Sequence, residues 1–196
     1  MRLRTRIALI AGTALVATSP LAADAGFALG DLCATRAAVA GGNARFRETR
    51  TVAALKSPLE RSGTLVYRRP DHLEMDVEAP RAEHLVIDGG RLTVDGARGR
   101  REIALADEPA LLASTESLRA TLAGDCASLQ RFFTATLAGA AGDWTLALVP
   151  RDPSLAALVT RVDIAGREAM VRQVTIIDAN GDVTRMDIEP MASSPR

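Results

Sequence analysis

Gly63-Thr64-Leu65-Val66-Tyr67-Arg68-Arg69-Pro70-Asp71-His72-Leu73-Glu74-Met75-Asp76-Val77-Glu78 carries the period that decides the fold. Leu65 and Tyr67 alternate with Val66 and Arg68, so Thr64 to Arg69 reads as a strand. Pro70-Asp71 turns the chain. From His72 to Glu78 the alternation is strict. Leu73, Met75 and Val77 face one way, and His72, Glu74, Asp76 and Glu78 face the other. Such a strand meets apolar matter on one side and water on the other, as in an antiparallel sheet.

The pattern extends in both directions. Pro80 ends the strand, Glu83 to Ile87 starts another, and Asp88-Gly89-Gly90 turns it back into Arg91 to Asp95. Arg98 to Leu105 reads as one more strand, and Phe46 to Leu55 alternates weakly as a first. Before it, Ala28 to Val39 has helical spacing, with Leu29, Leu32, Arg36 and Val39 at i, i+3, i+7 and i+10 and the apolar members on one stripe, and Gly41-Gly42-Asn43 as its stop. The middle changes period. Glu108 to Leu112 and Ser117 to Leu122 read as short helices, and Asp125 caps a third that runs to about Leu137. Strands return at Asp143 to Pro150, Val159 to Ile164, Ala169 to Asp178 and Asp182 to Glu189, the last two joined through Asn180-Gly181 as a type I′ turn. The expected class is α+β. A curled antiparallel sheet of about 8–11 strands must find a filling for its inner face, and helices are the available one.

Composition agrees with that picture. The chain has 196 residues and 47% apolar residues, but only 3% aromatics, so the core is aliphatic. The balance of 24 basic to 24 acidic residues argues against a protein that grips nucleic acid. Residues 1–25 read as a secretory signal peptide. Arg2, Arg4 and Arg6 precede the apolar run Ile7 to Ala17, and Ala23-Asp24-Ala25 offers the cleavage site. The exported domain is then 26–196. Cys33 and Cys126 are the only cysteines, and export puts them where disulfides persist. They either form the one possible pair or remain two separate buried thiols.

Catalytic constellations are missing. There is no nucleophile elbow, zinc-protease helix or phosphate-binding loop, so no catalytic residue and no cofactor is expected. His72 and His84 on neighbouring strands, with Glu74 or Asp76, have metal-ligand chemistry. Both lie on polar faces, so surface histidines are the better reading and no metal site is expected. What remains is apolar surface under short helices, which suits a hydrophobic cavity. Its candidate lining is Leu65, Tyr67, Leu73, Met75, Val77, Leu85, Ile87, Leu112, Phe132, Phe133, Trp144, Leu146 and Leu148. A filled core has the same period, and periodicity does not separate the two.

Three segments carry a family resemblance. Gly63 to Met75 resembles the G-x-hydrophobic-x-hydrophobic-x-R-P stretch of the LolA-like periplasmic lipoprotein carriers. Pro80, Leu85, Ile87-Asp88-Gly89 and Leu92 continue it. Trp144 to Pro150 resembles the strand that follows the family's helical insert, and the closing hairpin through Asn180-Gly181 also fits. The resemblance implies an unclosed antiparallel β-barrel with a helical lid. It implies a periplasmic monomer that takes acylated lipoprotein or lipid from an inner-membrane donor to an outer-membrane acceptor. Arg69, before the proline, falls where the family has an arginine that latches the lid to helix carbonyls. The alternative function on the same scaffold is a lipid-sensing or structural module that transfers nothing.

Overall fold

The computed structural model describes residues 26–191, so the signal-peptide expectation lies outside the described residues. A helix α1 (Leu29–Ala37) precedes six strands: β1 (Gly41–Thr51), β2 (Leu59–Arg68), β3 (His72–Ala79), β4 (Glu83–Asp88), β5 (Arg91–Gly96) and β6 (Arg101–Ala104). A short helical turn (Leu105–Asp107), α2 (Pro109–Ala123) and α3 (Cys126–Phe132) follow. The chain ends with β7 (Phe133–Ala140), β8 (Asp143–Pro150), α4 (Pro153–Ala156), β9 (Val159–Arg167), β10 (Met170–Asp178) and β11 (Val183–Pro190).

All 11 strands form one antiparallel sheet in the order β6-β5-β4-β3-β2-β1-β11-β10-β9-β8-β7. Two meanders, β1 to β6 and β7 to β11, meet where β1 pairs with β11. The sheet is not closed, because β6 and β7 are its edges. The segment between those two edges is the helical one. Its residues and α1 pack on the sheet face that carries Leu65, Trp144 and Leu146, where Leu32, Ala113, Ala120 and Leu129 join one apolar cluster.

Four local expectations need correction. The third middle helix stops at Phe132, and Phe133 to Leu137 belongs to β7, paired with β8. Adjacent phenylalanines satisfied the helical stripe, but only Phe133 enters the sheet core, at 1% exposure. The two expected short helices are one, α2. Its polar middle is tolerated because Ser117 Oγ donates to Ser114 O and Thr121 Oγ1 to Ser117 O. Gly41 and Gly42 open β1 instead of merely ending α1, and a side chain at Gly41 would meet Tyr67 O of β2 at 2.5 Å. Finally, Asn180-Gly181 is not a type I′ turn, because only Gly181 has positive φ. Gly89 and Gly90, both with positive φ, make that turn between β4 and β5.

Candidate functional site: a lid held to an aliphatic face

Register places the expected lining residues in rows across the sheet. One row runs Tyr67, Leu73, Ile87, Leu92; the next runs Leu65, Met75, Leu85, Val94; Val77 lies opposite Gly63 in a third. Directly paired residues share a face. Phe46, Leu65 and Val77 belong to the same cluster as the helix residues, so these rows face the helices.

The lining residues fall into three groups. Phe133, Trp144, Leu146 and Leu148 are almost fully buried under the helices, and Leu65, Tyr67 and Val77 are buried with them. Leu73, Met75, Leu85 and Ile87 are only half-buried. Phe132, partly buried, packs against the first group, and Leu112 is half-buried beside it. They line a small apolar pocket of about 190 Å³ beside Leu155 of α4. The inner face is therefore filled on the β8–β9 side and incompletely covered on β3 and β4.

The helices are tied down at one corner, where the C-termini of α1 and α2 meet. A helix C-terminus leaves carbonyls without intrahelical partners. Arg69 Nη1 donates to Ala37 O at 2.6 Å and to Ala123 O at 3.0 Å, so one guanidinium joins the ends of both helices to the β2–β3 turn. Arg36, in the apolar stripe of α1, does the same from inside. It is 3% exposed. Its Nη2 donates to Leu122 O at 3.0 Å and its Nη1 to Ala169 O, while its Nε is buried without a partner. Burial pushes the Arg36 guanidinium below the usual arginine range, with a smaller push from Arg69. Burial also holds the Tyr67 hydroxyl above its usual value, opposed by Arg69 and Arg36.

Sequence reading named Arg69 and missed Arg36. The signal was its place on the apolar stripe, since a charge there must be paired or hydrogen-bonded. Two more features join at this corner. Cys33 and Cys126 form a disulfide between α1 and α3. Gly124, at φ 69°, ends α2 so close to α1 that a Cβ would meet Cys33 O at 2.2 Å.

The histidines lie on the other face. His84 Nδ1 is 2.6 Å from Asp76 Oδ1, and His84 Nε2 is 3.8 Å from Glu74 Oε1. Ligand atoms of Glu74, Asp76 and His84 all lie within 4.8 Å of one another, half-exposed. His72 contacts Glu74 at 3.5 Å and stands outside that trio.

The family profile described as outer membrane lipoprotein carrier protein LolA-like matches residues 17–194. The chain belongs to this LolA-like family. No curated protein sequence matches. Among solved structures, a LolA superfamily protein from Nitrosomonas europaea is similar at 9% identity and a TM-score of 0.42, over 83% of this chain and 92% of that one. A putative outer membrane lipoprotein-sorting protein domain from Vibrio parahaemolyticus matches at 10% identity and 0.47, over 87% and 94%. The MucA/MucB complex structure from Pseudomonas aeruginosa matches at 15% and 0.46, over 86% of this chain but 59% of that one.

Proposed function

We propose that this LolA-like protein is a periplasmic carrier. It shelters acyl chains of a lipoprotein or another lipid against its inner sheet face and moves them from an inner-membrane donor towards an outer-membrane acceptor. The mechanism is binding without chemistry. One observation carries this reading: Leu73, Met75, Leu85 and Ile87 stay half-buried on the face whose other half is fully packed. That is apolar surface in need of a cover. Arg69 is the lid latch in this reading, because its hydrogen bonds to Ala37 O and Ala123 O hold the helices against the sheet.

The energetics suit transfer. Each buried methylene contributes about 0.8 kcal/mol, so some ten methylenes yield about 8 kcal/mol gross. Lost freedom and lid opening offset part of that. The remainder gives holding in the micromolar range or weaker, which permits hand-off.

A triacylated lipopeptide is the direct probe. The protein is expected to bind it and to release it to outer-membrane vesicles. Met75→Glu with Leu85→Glu is expected to weaken binding by at least about tenfold, since each buries an unpaired charge. Unchanged binding in that variant would overturn the cavity. Binding with no transfer to vesicles would overturn the carrier and leave the sensing module.

A further inference from the structure

The inner face has a second end, away from Arg69, and it is basic. There the loops after β1, β3 and β5 surround a cavity of about 550 Å³. That volume lies within the usual range for a small-ligand site, about 300–1,000 Å³. Val77 and Val94 form part of its wall. Both sit in the rows that face the helices, and Val94 pairs directly with Leu85. The cavity thus adjoins the half-buried aliphatic surface through Val94 and Val77. Its rim carries Arg61, Arg81, Arg98 and Arg101.

The charges there are not balanced locally. Arg61 is engaged by the buried Glu48, at 2.6 Å. The guanidiniums of Arg81, Arg98 and Arg101 have no hydrogen-bond or ion-pair partner among the described residues. Glu60 and Glu83 are the acidic residues of the lining, so cations are in excess. Such a mouth disfavours a cationic headgroup. It offers the fork geometry that arginine uses for phosphate and carboxylate.

We propose that this cavity is a headgroup subsite for an anionic amphiphile: the acyl chain lies along Met75 and Leu85, and a phosphate or carboxylate head sits among Arg81, Arg98 and Arg101. The proposal rests on the acyl-binding reading above and adds the charge class of the cargo. An acyl chain alone carries no polar information. The head that stays at the mouth is therefore where one lipid can be told from another.

Two probes with the same chain separate the terms: 1-palmitoyl lysophosphatidic acid and 1-monopalmitoylglycerol, which lacks the phosphate. Both are measured by equilibrium dialysis below their micellar concentrations. The phosphate-bearing probe is expected to bind about tenfold more tightly, in line with one or two charge-assisted contacts in a partly wet site. Arg98→Gln with Arg101→Gln should remove that preference and leave monopalmitoylglycerol binding unchanged. Added salt should narrow the preference in the wild type. Equal affinity for the two probes, or a preference that survives in the variant, would overturn the subsite while leaving the acyl cavity standing. Failure of both probes to bind would overturn the cavity and the subsite together. Inorganic phosphate is the third probe. Affinity for it equal to that for lysophosphatidic acid would assign the arginines to a free anion and overturn the lipid reading.

Discussion

Arg36 and Arg69 make similar hydrogen bonds in different surroundings, and the difference separates stability from release. Arg36 is buried, so removing its side chain leaves Leu122 O and Ala169 O without a donor. Hydrogen bonds from charged groups contribute about 1.5–3 kcal/mol each, so Arg36→Met should lower stability by about 3 kcal/mol. Urea unfolding measures it, and a loss under about 1 kcal/mol would show that water reaches those carbonyls. Arg69 is exposed, and water can replace it at Ala37 O and Ala123 O. Arg69→Leu should barely change unfolding but should shift the helices towards the open, cargo-bearing arrangement. Retention of a bound lipopeptide should lengthen by up to about tenfold, the worth of one hydrogen bond. Unchanged loading and release in this variant would remove the latch from the account. Arg69 was named through the family resemblance, by the R-P that follows its strand. Arg36 was not singled out as a site residue, because an arginine in an otherwise apolar stripe also reads as an exposed break in it.

At the scale of elements, α1 is held to the α2–α3 corner by a covalent bond. Cys33 and Cys126 are separated by 93 residues. In the chain-entropy account, closing a loop of that length stabilises the fold by about 4–5 kcal/mol. Cys33→Ser with Cys126→Ser, or reduction, should lower the urea midpoint accordingly. Asp125 caps α3 by accepting from Ser128 N at 3.0 Å. Hydrogen bonds from the Ser128 side chain and backbone hold its carboxyl below the usual aspartate range. A depressed carboxyl stabilises above its unfolded value, and that stability disappears as pH falls through the folded value. Asp125→Ala should cost about 1 kcal/mol at neutral pH and less in acid. A cost that grew on acidification would refute that assignment. The cap was readable from Asp125, while the end of its helix was not. Leu129, Phe132 and Phe133 fit helical spacing, and only pairing with β8 draws Phe133 into a strand.

At the scale of the molecule, topology explains the lid. The sheet's edges are β6 and β7, and the chain must travel from one to the other. The helical segment makes that journey, so the elements that cover the inner face also connect the unclosed seam. Antiparallel alternation made the sheet legible, because each hairpin has its own period and turn. The cover was not, because burial at Leu146 and half-burial at Leu85 share one sequence pattern. Only the packing of α1, α2 and α3 distinguishes a filled face from a fillable one.

The central claim is that the half-buried aliphatic face holds an acyl chain in the cell. Native mass spectrometry of the protein taken from the periplasm, followed by denaturation and lipid extraction, tests it most directly. The account predicts a stoichiometric acylated species that leaves on denaturation and is diminished in Met75→Glu with Leu85→Glu. A bare protein mass, unchanged after incubation with mixed lipids, would contradict it and make that face an ordinary core.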